Sequence, residues 1–195
     1  MAYVPKILAF AGSLRKDSFN KKLVRIAANG ARAAGATVTV VELNDYLMPL
    51  YNGDLESEKG LPEEGKRLKS VFLEHDGLLI ACPEYNSSIT AVLKNTLDWL
   101  SRPVSNEPPM AAFANKVCAV MSASPGGLGG LRSQAILRPI LLDLRILVLP
   151  VQFAVSRAHE AFNPDGSLKD AKQQAGAEQV GAAVADFLKR LNSGR

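Results

Sequence analysis

Several short stretches of this sequence are apolar almost end to end instead of at alternate positions; residues 7–11, 77–82 and 116–121 are the clearest. A strand with one wet face alternates polar and apolar side chains, so a strand that does not alternate must be covered on both faces. Strands of that kind belong to parallel sheets, where each connection is a crossover lying over the sheet. The segments between the apolar runs supply such crossovers. Residues 18–34 place Leu23, Ile26, Ala27 and Ala31 at helical spacing and stop at Gly35. A β-branched strand follows at 37–43, then a loop at 44–61 with no sustained period. A helix is predicted over 62–75, with Pro62 near its first turn, before the strand at 77–82. Next come a helix at 90–101 closed by Arg102-Pro103, a loop at 104–115 and the strand at 116–121. Gly126, Gly127, Gly129 and Gly130 form a turn before a helix running to about 144, and 146–153 read as the fifth strand. Asn163-Pro164-Asp165-Gly166 signals a turn, and 169–191 is a final helix with Ala177, Val180, Val184, Phe187, Leu188 and Leu191 on one face. Strand and helix thus alternate, and an open parallel sheet with helices on either side and right-handed crossovers is expected. No repeat or linker divides the chain, so residues 1–195 form a single domain long enough to bury a sizeable core.

Composition narrows the function. The net charge of +4 is modest, and no long basic stripe with interleaved aromatics points to nucleic acid. Much of the local excess sits in Arg15, Lys16, Lys21, Lys22 and Arg25 beside a Gly-Ser turn. That cluster reads either as the place for one small anion or as a solvated helix face. Cys82 and Cys118 lie in apolar runs, as small core residues do in a reducing compartment. With His75 and His159 far apart, a structural zinc site or iron–sulfur cluster has too few ligands. The first apolar run leads into a turn, so it reads as a strand and not as a signal peptide. The oiliest stretch, 136–155, is interrupted by Arg138, Asp143 and Arg145 and does not suit a bilayer. A cytoplasmic protein without a membrane partner is expected.

In open parallel sheets ligands bind beyond the carboxyl ends of the strands, which selects three loops. The first is Gly12-Ser13-Leu14-Arg15-Lys16-Asp17-Ser18-Phe19-Asn20. Its Ser13, Ser18 and Asn20 side chains can donate to phosphate oxygens, Arg15 adds a cationic fork, and the following helix points free N–H groups at the same spot. Ser18 is equally a helix cap, a role compatible with an anion. The loop is neither GxxxxGK[ST] nor GxGxxG, which argues against an NTPase or a dinucleotide fold. The second loop, Pro83-Glu84-Tyr85-Asn86-Ser87-Ser88-Ile89, could line a flat heteroaromatic ring or be an ordinary turn. The third, opening at Ser122-Ala123-Ser124 and running through the glycines, allows close backbone approach, although a flexible connection explains it as well. Together they suit a phosphorylated mononucleotide with a fused ring, which is FMN. No Ser-His-Asp set or GxSxG elbow is present, so a borrowed cofactor would carry the chemistry.

Gly12-Ser13-Leu14-Arg15 with Ser18 and Asn20, Pro83-Glu84-Tyr85-Asn86, Leu93-Lys94-Asn95 and Asp98-Trp99 together resemble the NADPH-dependent FMN reductase family. Within it, the likeness is to bacterial quinone and chromate reductases, and it covers about residues 6–155. The resemblance implies a flavodoxin-like three-layer α/β sandwich with strand order 2-1-3-4-5 and tightly, non-covalently bound FMN. It also implies NADPH or NADH as co-substrate. Ser13, Arg15, Ser18, Phe19 and Asn20 would then surround the phosphate. Pro83, Glu84, Tyr85, Asn86 and Ser87 would run along the isoalloxazine, with Tyr85 walling the substrate slot. Ser122, Ala123 and Ser124 would border the ring and ribityl chain. The implied reaction passes hydride from NAD(P)H to the flavin N5 and then two electrons, by ping-pong, to quinones, flavins, azo compounds or metal oxyanions such as chromate. A dimer or tetramer through the helix from Thr90 to Arg102 is implied as well, with Leu93, Leu97, Trp99 and Leu100 exceeding what one buried face needs and Asp98 and Arg102 in ion pairs. Related sequences often carry Pro-Gly where this chain has Thr90-Ala91, a change that implies a Thr cap at the helix start. A flavodoxin-type electron carrier and an arsenic-resistance-type flavoprotein are the alternative readings. A response-regulator-like module lacks its acidic cluster, since Gly12-Ser13-Leu14-Arg15 follow the first strand.

Overall fold

The structure is a computed structural model and describes residues 3–104 and 106–193. Met1, Ala2 and Ser105, which fall in the N-terminal lead-in and the expected 104–115 loop, lie outside the described residues, as do Gly194 and Arg195.

Five parallel strands form one sheet in the order β2-β1-β3-β4-β5, as the resemblance implied. They are β1 (Lys6–Ala11), β2 (Thr37–Val41), β3 (Gly77–Ala81), β4 (Val117–Ala123) and β5 (Leu147–Val155). β3 and β4 are buried at every position, and β1 everywhere but Lys6. The two edge strands are only partly covered, as a sheet with two open edges requires. The apolar core falls into two layers. One face carries Ile7, Ala9, Leu79, Ala119 and Met121 against α1 (Phe19–Ala33) and α7 (Ala171–Asn192). The other carries Leu8, Phe10, Leu78, Ile80 and Val120 against α3 (Glu63–Leu73), α4 (Ala91–Leu100) and α5 (Leu131–Asp143).

α1 and α7 pack backbone to backbone. A Cβ on Gly30 would lie 2.0 Å from the Glu178 carbonyl oxygen, and one on Gly181 would lie 1.8 Å from that of Ala27. Only glycine fits at either point.

The segment 44–61, expected as a loop, contains a short 3-10 turn (Leu43–Tyr46) and α2 (Gly53–Lys59), capped by the Asn52 side chain. A further short helix, α6 (Ala158–Ala161), precedes the 163–166 turn, which forms as expected with Gly166 N–H bonded to the Asn163 carbonyl. β5 runs two residues past its expected end, and its pairing with β4 slips: Cys118 faces Val148 but Val120 faces Gln152. The bulged residues Leu149 and Val151 present their carbonyls to Arg138 of α5, each accepting at 2.9 Å.

The apolar excess on α4 has an internal explanation. Leu93, Leu97, Trp99 and Leu100 are all fully buried within the single chain. Trp99 packs edge-on to Tyr51 at 5.0 Å and donates its indole N–H to the Pro49 carbonyl at 2.8 Å. Asp98 pairs with Lys94 one turn back, while Arg102 lies over the Tyr51 ring and donates to Ser101. The positions left exposed or half-exposed on α4 are Ala91, Val92, Lys94, Asn95 and Asp98.

Candidate functional site

The loops after β1, β3 and β4 stand side by side at one edge, because β1, β3 and β4 are consecutive neighbours in the sheet. Gly12 continues the sheet by donating to Ala81 O at 2.9 Å, and Cys82 does the same to Met121 O at 2.8 Å.

In the first loop, Ser13 is buried and its hydroxyl accepts the Arg15 backbone N–H at 3.3 Å, folding the chain back on itself. Arg15 is exposed and pairs with no carboxylate among the described residues. Ser18 occupies the cap position of α1, yet its side chain makes no capping bond. The Lys21 and Lys22 N–H groups donate to the Ser18 carbonyl, so the N–H groups of Phe19 and Asn20 and the Ser18 hydroxyl are left for another acceptor at the positive end of a helix of 15 residues. Phe19 is half-buried and stacks on Phe162 at 5.8 Å, packing the back of the loop. Asn20 is buried and exchanges two hydrogen bonds with the Ala123 backbone, at 2.8 and 2.9 Å. Its amide oxygen and one amide hydrogen thus tie the first loop to the third.

The second loop is a tight reversal. Tyr85 and Ser88 exchange both backbone hydrogen bonds at 3.0 Å, and Asn86 and Ser87 take φ of 50° and 65°. Positive φ at both central residues is the signature of a type I′ turn, which Asn accepts readily and Ser less so. Pro83 is buried at its base and Tyr85 is half-exposed at its tip. Glu84 turns inward: its carboxylate pairs with Arg132 of α5, whose Nε donates at 2.6 Å, and its second oxygen is buried without a partner. Burial, with some help from the Glu84 charge, pushes the Cys82 thiol up to about 12, so it is not a thiolate nucleophile at neutral pH.

In the third loop Ser122 is fully buried, and its hydroxyl donates to Gly129 O and accepts from the Gln134 amide, both at 2.7 Å. It props the glycine turn from beneath instead of facing outward. Ala123 is also buried, and Ser124 is half-exposed, its hydroxyl accepting from Gly126 N–H at 3.2 Å. Gly126, Gly127 and Leu128 are exposed, whereas Gly129 and Gly130 are buried.

Three contributors escaped the sequence reading. Arg132, Ser133 and Gln134 sit in the first turn of α5 and anchor the second and third loops. Their position just after a glycine turn and before an apolar helix was the available signal. Thr90 does cap α4, accepting from Leu93 N–H at 3.3 Å, and its hydroxyl also donates to Gly12 O at 2.7 Å. Among the described residues no group of acidic, His or Cys side chains could hold a metal ion, and no helix is long and apolar enough to cross a membrane.

The family described as NADPH-dependent FMN reductase matches residues 5–160 of this chain. A quinone reductase of Pseudomonas putida is 35% identical over 172 residues, covering 87% of this chain and 88% of that protein. An NADPH:quinone oxidoreductase of Arabidopsis thaliana is 35% identical over 190 residues, covering 95% and 93%. Among solved structures, a flavoenzyme NAD(P)H:(acceptor) oxidoreductase from Paracoccus denitrificans superposes with a TM-score of 0.77 at 30% identity, covering 96% of this chain and 98% of that one.

Proposed function

The chain belongs to the NADPH-dependent FMN reductase family, and on that premise we propose that it is an NAD(P)H-dependent FMN or quinone reductase holding its flavin across the three loops. The observation that carries the reading is the open anion seat at α1: a capping serine whose side chain does not cap, the N–H groups of Phe19 and Asn20, and Arg15, which pairs with no carboxylate among the described residues. A phosphate monoester fits that donor set in charge and in hydrogen-bond sense.

When bound, FMN supplies the two-electron chemistry, taking hydride at N5 and yielding electrons to an acceptor. The chain's own residues bind and orient. Ser13, Ser18, Arg15 and the α1 N-terminus hold the phosphate. Asn20 keeps that seat in register with β4. Pro83 and the turn at 85–88 form one wall of the ring slot, with the half-exposed Tyr85 offering an aromatic face to whatever stacks on the ring. Glu84, clamped by Arg132, fixes the root of that wall. Ser124 and the exposed glycines border the slot where backbone can approach closely. A flat slot bounded by one aromatic face and flexible backbone discriminates weakly between planar acceptors. Quinones are therefore the first acceptor class, with free flavins, azo compounds and oxyanions such as chromate as further ones.

With one slot beside Tyr85 to share, NAD(P)H and acceptor would take turns in it. Steady-state oxidation of NADPH against a varied benzoquinone should give parallel double-reciprocal lines, as ping-pong turnover demands. Intersecting lines would mean that both substrates bind at once and would contradict the shared slot.

Self-association through α4 belongs to the same reading. It rests on the family likeness alone, since the helix's large apolar residues are covered within the chain, Lys94 pairs with Asp98, and Asn95 bonds the backbone of Pro49 and Tyr51. Sedimentation of a monomer at micromolar concentration would remove it. A cytoplasmic setting suits two buried, unpaired cysteines.

A further inference from the structure

The helices that follow the three site loops each place one buried polar side chain at their start, and each of these side chains reaches the backbone of a neighbouring loop. Thr90, at the cap of α4, donates to Gly12 O at 2.7 Å. Asn20, in the first turn of α1, holds the Ala123 backbone at 2.8 and 2.9 Å. Ser133, in the first turn of α5, shares its hydroxyl hydrogen between Gly130 O at 2.8 Å and Cys82 O at 3.1 Å. The three side chains are 2%, 3% and 0% exposed, so none of these bonds competes with bulk water. Together they close a ring. Thr90 joins the second loop to the first, Asn20 joins the first to the third, and Ser133 joins the third to the second.

We infer that this ring of ties preorganises the cofactor site and that Thr90 is a positioning residue coupling its phosphate end to its ring end. The inference rests on the FMN reading above. Space at the Thr90 link is minimal: a Cβ on Gly12 would lie 2.9 Å from Leu93 Cβ, so α4 presses against the turn that opens the phosphate seat. The Gly12–Ser13 peptide is held at both ends, by the Thr90 bond to Gly12 O and by the Ser13 N–H bond to Ala11 O at 2.8 Å, and its plane directs the Ser13 side chain and the turn that Ser13 makes with Arg15. Without the hydroxyl, the Gly12 carbonyl keeps its burial and loses its partner, and the loop must shift to satisfy it. Preorganisation lowers the ordering cost of binding, so its loss appears as weaker affinity at the end whose loop was released.

The test separates the two ends by comparing FMN with riboflavin, which lacks the phosphate, through quenching of flavin fluorescence on the apoprotein. Thr90→Val keeps the shape and removes the hydroxyl. It should weaken FMN about 5- to 30-fold and riboflavin less than about twofold. Thr90→Ser restores the hydroxyl and should return both affinities to within about twofold of the parent. Ser133→Ala cuts the tie between the ring loop and the glycine loop, and should weaken both flavins by a similar factor of about three to ten, leaving their ratio unchanged. If Thr90→Val does not fold, Thr90→Ala, which also lacks the hydroxyl, takes its place with the same expected FMN-to-riboflavin change. An unchanged FMN-to-riboflavin ratio in folded Thr90→Val overturns the inference. So does a Thr90→Ser protein as impaired as the valine variant, or a Ser133→Ala protein that binds both flavins normally. A parent protein that binds neither flavin refutes the cofactor reading itself, and this inference with it.

Discussion

Arg15 stands exposed at the turn after β1, its backbone N–H held by the Ser13 hydroxyl and its guanidinium free of any carboxylate among the described residues. A cation–phosphate hydrogen bond at a helix N-terminus is worth roughly 1.5–3 kcal/mol. Arg15→Ala should therefore weaken FMN binding about 10- to 100-fold, read as flavin lost on gel filtration and as a raised dissociation constant. Full flavin content in the variant would assign the phosphate to other donors. The residues of this seat were legible in the sequence because the signal is local: a glycine turn, two serines and an arginine directly before an amphipathic helix. Residues whose partners lie far along the chain were not. Nothing near Thr90 announces Gly12, which is 78 positions away. Nor does anything near Asn20 announce the Ala123 backbone, 103 positions away, or anything near Ser122 the Gln134 amide from which its hydroxyl accepts.

The helices and strands carry their own lesson about what periodicity can and cannot reveal. α1 shows its buried stripe plainly and was placed to within a residue at each end. α2 has no buried residue at all, so it leaves no apolar period, and it forms on the strength of the Asn52 cap and acidic first-turn residues at its positive end. The bulge in β5 is equally invisible, because it depends on Arg138 reaching across from α5 to two carbonyls. The contact of α1 with α7 allows a direct test of element packing. Gly181→Ala puts a methyl 1.8 Å from the Ala27 carbonyl oxygen, and relief requires the two helices to separate. The change should cost about 3 kcal/mol or more, seen as a lower urea midpoint, because both faces are backbone that cannot rotate away. A stability within about 0.5 kcal/mol of the parent would mean that the two helices do not touch here.

At the scale of the whole molecule, the stretch 106–116 is pinned to the domain by a partly buried ion pair at Glu107. Lys69, almost fully buried, bonds both the Arg102 carbonyl and the Glu107 carboxylate. Burial works to raise the Glu107 carboxyl, but the Lys69 hydrogen bond, the Val104 N–H and the Lys69 charge together hold it below the usual range. A carboxyl lowered on folding stabilises the native state above its unfolded value, and that contribution is lost as pH falls through the folded value. Glu107→Gln should thus be less stable than the parent at neutral pH, with the gap narrowing as pH falls into and below the usual carboxylate range. A gap that stayed constant down to acid would show that the pair contributes nothing. The parallel sheet with a core layer on each face follows from strands buried on both sides, whereas the strand order that sets the three loops side by side is legible only through the family resemblance. The central claim concerns what that edge holds. The most direct test is the visible spectrum of the purified protein, before and after anaerobic addition of NADPH. A flavin spectrum that bleaches with one equivalent of NADPH per flavin, in a single two-electron step, is the predicted result. A protein that stays colourless after incubation with FMN, or a bound flavin that responds to neither NADPH nor NADH, would contradict it.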